Sequence, residues 1–122
     1  MFSTSIAAIP PGALDLSGEA VRRRRSLQRA TMVALDKAHY QELIPPTFEY
    51  EDTFIRAGGP EIAERLVRFP DRDGRILALR YDFTASLARV AATTFADAAG
   101  ALRLCYSGKV FRQDPERGGR PR

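Results

Sequence analysis

The chain has 122 residues, 44% of them hydrophobic and 28% charged, enough apolar material for one small core and more than a disordered segment carries. Its 19 Lys and Arg against 15 Asp and Glu leave a formal charge of +4, which raises the prospect of an anionic ligand or nucleic acid only a little. A single cysteine, Cys105, excludes an internal disulfide and a cysteine zinc cage. No apolar run approaches the roughly 18 residues of a membrane span. The opening MFSTSIAAIPP lacks the basic n-region of a secretory signal. The expectation is a reduced, cytoplasmic protein with no metal and no cofactor.

Residues 1–16 read as an irregular arm, since Pro10, Pro11 and Gly12 are poor helix formers. Ser17 stands ready to cap a helix, and Glu19 suits the positive end of its first turn. Leu27, Ala30, Ala34, Leu35 and Ala38 follow three- and four-residue steps, which predicts a one-sided helix to about His39. His39 reads as an exposed residue at its end. The run Arg22–Arg25 advances by about 100° per residue, so it spreads round the cylinder and cannot form one tight anion clamp. It reads as a solvated or partner-facing surface, with no nucleic acid expected.

YQELIPPTFEY predicts a short strand ended by Pro45 and Pro46, which cannot donate to a ladder. EDTFIRAGGPEIAERL predicts short helices broken at Gly58 and Gly59. Leu66–Phe69 and Ile76–Leu79 are the arms of a hairpin, with Asp73-Gly74 able to take positive φ in the turn. Phe83, Leu87, Val90 and Ala91 mark a helix from about Thr84 to Ala96. LRLCYSGKVFR then alternates, with Leu102, Leu104 and Tyr106 on one face and Arg103 and Cys105 on the other, as a half-buried strand does. The order lacks regular βαβ alternation. It predicts an α+β fold, an antiparallel sheet with flanking helices.

Two stretches carry candidate chemistry. LRYDFTASLAR places Arg80, Asp82 and Thr84 at a strand-to-helix junction. A cap would explain Asp82 alone, whereas a ligand would explain both acceptors. In YSGKVFRQD, Arg112 closes the alternating strand and Asp114 follows two positions later, on the same side of an extended chain. Such a pair is either an ion pair or a means of holding a phosphate beside a polar ring.

Taken together, PPGALDL, YQELIPPTFEYEDTF, FPDRDGRILALRYDFTASLAR and LCYSGKVFRQDPERGGRPR resemble, in one collinear order, the beginning of histidyl-tRNA synthetase and its paralogues. LIPPTFEY is similar to motif 1 of class II synthetases, used in self-association, and VFRQDPERGGRPR to the first strand and loop of motif 2. The resemblance implies a class II synthetase-like core over residues 17–122, incomplete and ending within the motif 2 loop. Where the synthetase grips the amino group of histidine with Glu-Gly-Thr, this chain has Asp82, Phe83 and Thr84. Arg112 corresponds to the motif 2 arginine that meets the histidine carboxylate and the ATP α-phosphate. Asp114 falls at a glutamate that contacts adenine, a nucleotide-contact remnant.

The departures are specific. Both acids are shorter by one methylene, Phe83 replaces a glycine and Tyr81 a proline. Asp-Phe-Thr resembles the non-aminoacylating paralogues, the regulatory subunits of ATP phosphoribosyltransferase. That resemblance implies a chain without catalytic residues of its own. It further implies L-histidine as effector at Asp82, Phe83, Thr84 and Arg112, and a short-form catalytic subunit as partner in the first step of histidine biosynthesis. The alternatives are an ATP-dependent histidyl-tRNA synthetase and, more remotely, a basic module that binds nucleic acid through Arg22–Arg25.

Overall fold

A computed structural model of the chain describes residues 8–113. The first helix, α1 (Gly18–Lys37), starts from extended Ser17, whose side chain occupies the cap position without making a capping bond. Its end is built by backbone alone: Tyr40 N–H donates to Leu35 O at 3.0 Å and His39 N–H to Asp36 O at 2.9 Å. That double closure needs a left-handed residue between helix and exit, and His39 supplies it at φ 62°. A β-carbon is strained there, so exposed His39 stops the helix at a conformational cost. No residue of α1 is buried.

The prolines break the next ladder as expected, but the chain resumes beyond them. Two short strands flank Pro45–Pro46 in place of the single predicted one: β1 (Gln41–Glu42) and β2 (Phe48–Tyr50). α2 (Glu51–Gly58) follows directly, with Glu51 and Asp52 in its first turn and Arg56 in its last, the order its dipole favours. After the break at Gly58-Gly59 comes a 3-10 turn (Pro60–Arg65), then the predicted hairpin of β3 (Arg68–Pro70) and β4 (Ile76–Leu79). Gly74, at φ 78°, donates its N–H to Asp71 O at 3.0 Å and reverses the chain where a side chain would be strained.

β4 lies between β2 and β3, antiparallel to both, with Glu49 opposite Ala78, Tyr50 and Phe69 opposite Leu77, and Arg68 opposite Ala78. Pro70 sits on the edge strand, where its missing N–H costs no ladder bond. α2 and α3 (Thr84–Thr93) cover the face that carries Ala78. There Phe54, Leu66, Ala78 and Ala85 form the core, with Ile55, Ile62 and Tyr81 packed around it. Strand alternation then turns Glu49 inward and leaves Phe48 and Tyr50 outside, 48% and 39% exposed. Outside, Phe69 meets Phe48 edge to face at 5.6 Å, and Arg75 stands 3.3 Å over the Tyr50 ring.

Three further expectations need correction. α3 ends at Thr93, short of Ala96, and the chain passes into turns closed by Phe95 N–H on Val90 O and Ala96 N–H on Thr93 O. Thr93 and Thr94 are a β-branched pair, and Thr93 Oγ1 bonds back to Arg89 O at 2.9 Å, both unfavourable to helix continuation. The last strand is also shorter than predicted. β5 (Leu104–Cys105) pairs for two residues, parallel to β1. With so short a ladder the alternation decides little: Cys105 is the buried residue, while Leu102 and Tyr106 are 40% and 42% exposed. Arg112 therefore does not close a strand. Its segment is held by single bonds, Phe111 N–H to Arg80 O at 2.9 Å and Gln113 N–H to Arg65 O at 2.8 Å.

Candidate functional site

The junction between β4 and α3 is where polar groups and a cavity meet. β4 must leave the sheet after Leu79, and the next four residues turn the chain into α3 without regular structure. A cavity of about 160 Å³ opens there, lined by Phe54, Ala57, Gly58, Ile62, Tyr81, Asp82, Thr84 and Ala85. Its lining is mostly apolar, with one carboxylate from Asp82 and two hydroxyl-bearing side chains, Tyr81 and Thr84. It is smaller than the roughly 300–1,000 Å³ of drug-sized ligand sites, a scale suited to part of a small metabolite. A wider hollow of about 570 Å³ runs along α1 beside Glu19, Ala20, Arg23, Arg24 and Leu27, but it lies on one exposed helix and has no facing wall among the described residues.

Asp82 uses one oxygen locally: Ala85 N–H donates to its Oδ1 at 3.4 Å. That is the geometry of a helix cap, at the long edge of hydrogen-bond distance, and it leaves the second carboxylate oxygen uncommitted to the cap. Thr84, exposed at the start of α3, lines the same cavity. Phe83 turns the other way. Its ring is 6% exposed and stacks on Tyr106 at 4.4 Å with 16° between the planes. Arg112 is outside the cavity wall but anchored to it, its Nε donating to Tyr81 O at 3.0 Å and its guanidinium 4.5 Å above the Tyr81 ring. Tyr81 thus separates the acceptors from the cation. Asp114 lies outside the described residues.

One charged pair escaped sequence reasoning. Glu49 on β2 receives two hydrogen bonds from Arg89 on α3, 2.8 Å from Nε and 3.0 Å from Nη2. Burial opposes ionisation of Glu49, and the bonds and charge of Arg89 outweigh it, so its pKa falls below the ordinary value. The same bond from the carboxylate raises the pKa of Arg89. Ser86 Oγ is fully buried next to this pair, yet among the described residues its geometry falls short of a hydrogen bond with any partner. The signal was present in Thr-Phe-Glu-Tyr, where an acid takes the inward position of a strand between two aromatics. Nothing local indicated which cation would meet it.

Among the described residues, no cluster of three His, Cys, Asp or Glu side chains could hold a metal ion, and no helix is long and apolar enough to cross a membrane.

The histidyl-tRNA synthetase profile matches residues 12–122. The chain belongs to the histidyl-tRNA synthetase family. It is 40% identical to an ATP phosphoribosyltransferase regulatory subunit of Moorella thermoacetica, over all of this chain and 31% of that protein. It is 32% identical to a histidine–tRNA ligase of Thermococcus kodakarensis, over 91% of this chain and 26% of the ligase. A crystal structure of a protein from Bacillus halodurans, titled as an ATP phosphoribosyltransferase regulatory subunit/histidyl-tRNA synthetase, superposes with a TM-score of 0.83 at 27% identity. That match covers 96% of this chain and 30% of the other. The fold is therefore the class II synthetase type, of which these residues form a partial domain. The chain spans less than a third of the length of these relatives.

Proposed function

We propose that this chain belongs to a regulatory subunit of ATP phosphoribosyltransferase and binds free histidine without transferring it. The observation that carries the reading is the cavity lining, where Asp82 and Thr84 offer acceptors to an ammonium, with Arg112 just outside it and bonded to the carbonyl of Tyr81. An α-amino acid presents a cation and an anion on one carbon. Acceptors suit its ammonium and a guanidinium suits its carboxylate. The relatives named as regulatory subunits favour this over the synthetase reading, for which the Thermococcus ligase is the specific support.

The chemistry of the junction argues the same way. Aminoacylation requires ATP and histidine to be aligned closely, and displacements near 1 Å can cost about a hundredfold. A carboxylate shorter by one methylene at Asp82 is poorly suited to that task but compatible with simple binding. In this reading the glycosyl-transfer chemistry resides in a separate short-form catalytic subunit in the cytoplasm. Bound histidine favours one state of the assembly, and by linkage that state binds histidine more tightly. Two copies associate through the motif 1-like segment around Pro45 and Pro46.

The test uses the full-length protein with its catalytic partner. Asp82→Ala is expected to abolish inhibition by histidine while size-exclusion profiles of the assembly stay unchanged. Survival of inhibition would reduce Asp82 to a helix cap. Robust histidine-dependent ATP–pyrophosphate exchange by the full-length protein would overturn the regulatory reading in favour of the synthetase.

A further inference from the structure

Phe83 is buried yet does not face the cavity, which raises the question of what its ring holds. Its contacts lie on the segment that leads to Arg112. The ring stacks on Tyr106, and Gly108 passes so close that an added β-carbon would sit 2.8 Å from Phe83 Cζ and 3.0 Å from Arg80 Nη2. Arg80 completes the arrangement. Its guanidinium lies 4.8 Å over the Phe83 ring, its Nε donates to Lys109 O at 2.6 Å and its Nη1 to Pro45 O at 3.3 Å. Beyond Lys109, Phe111 N–H returns to Arg80 O, and Arg112 then reaches Tyr81 O.

Among the described residues this segment makes no ladder after Cys105, so these contacts and single bonds, with Gln28 Nε2 donating to Ser107 Oγ at 2.9 Å, set its course. We infer that Phe83 and Arg80 are positioning residues: with Tyr106 and Gly108 they clasp residues 106–109 to the start of α3 and thereby set where Arg112 stands relative to Asp82 and Thr84. The clasp rests on the reading that histidine binds between those groups. Phe83 then serves the effector through Arg112 and not by touching it. A phenylalanine at this position is the device that joins the acceptor end of the site to its guanidinium end.

Tyr106 gives a clean test because it is 42% exposed, so its truncation removes the stack at small cost to stability. In the full-length protein, Tyr106→Phe is expected to bind histidine as the wild type does. Tyr106→Ala and Phe83→Leu are expected to weaken binding about tenfold by calorimetry, the scale of one aromatic pair. Combining Tyr106→Ala with Arg112→Gln should cost much less than the product of the two single losses, because both act through one group. Multiplicative losses would overturn the clasp. So would unchanged affinity in Tyr106→Ala and Phe83→Leu while Asp82→Ala abolishes binding, which leaves the histidine reading intact. Unchanged affinity in both Asp82→Ala and Arg112→Gln would remove the histidine reading and the clasp with it.

Discussion

α1 and α3 are both patterned helices, and they meet opposite fates. α3 lays Ala85, Ser86 and Val90 against neighbours and is tied to the sheet by the Glu49–Arg89 pair. α1 is twice as long, yet Leu27 stays 69% exposed and Val33 49% exposed. Periodicity alone does not bury a face; something must be placed opposite it. In this chain the opposing surface exists for α3, because β4 and α2 converge there; among the described residues α1 meets mainly the strand that follows it and, through Gln28 Nε2 donating to Ser107 Oγ at 2.9 Å, the segment after β5.

The difference can be broken first at the core. Phe54→Ala removes a ring that is 1% exposed from under α3, and a loss of about 3–5 kcal/mol is expected in urea unfolding. Glu49→Ala comes next. Removing one partner of a fully buried pair costs about 3–5 kcal/mol; because Arg89 is 38% exposed and partly screened, about 2–3 kcal/mol is expected here. A cost below about 0.5 kcal/mol would mean that the pair contributes only as a surface bridge does.

The pair also predicts a pH dependence. A carboxylate whose folded pKa is depressed contributes stability that is fully present above its unfolded value and lost as pH falls through the folded one. Thermal unfolding midpoints should therefore drop below the ordinary glutamate range, around pH 4.3, and part of that drop should vanish in Glu49→Gln. On the α1 side, His39→Gly relieves a left-handed β-carbon at the helix stop and is expected to stabilise by about 0.5–1 kcal/mol. The smallest effect sharpens the comparison most. Leu27→Gln in the 122-residue chain should change stability by less than about 0.5 kcal/mol, and a loss above about 1 kcal/mol would show that α1 is packed after all.

Several of these features were legible before any coordinates. The long helix, the glycine break, the hairpin with Gly74 at its turn and the acid–hydroxyl junction at Asp82 and Thr84 all follow from spacing and residue type within a few positions. Local rules suffice where the determinants are local: a proline withholds a donor, a glycine admits positive φ, and a heptad-like step defines a face. Motif resemblance added the class II fold, because several markers in order constrain topology in a way that periodicity cannot.

Contacts between distant segments had to come from the tertiary structure. The alternation at Leu102, Leu104 and Tyr106 suggested a buried apolar face, but β5 pairs for two residues and buries Cys105 instead. Arg89 finds Glu49 across 40 residues of sequence, and Phe83 turns from the cavity to stack on Tyr106. Where the chain bends, coils and offers acceptors follows from local residue preferences, which lie in single residues and their immediate neighbours. Which of two faces is covered, and which cation meets a buried acid, depends on surfaces that come together only when the chain folds. Those outcomes are decided by packing and desolvation over the whole domain.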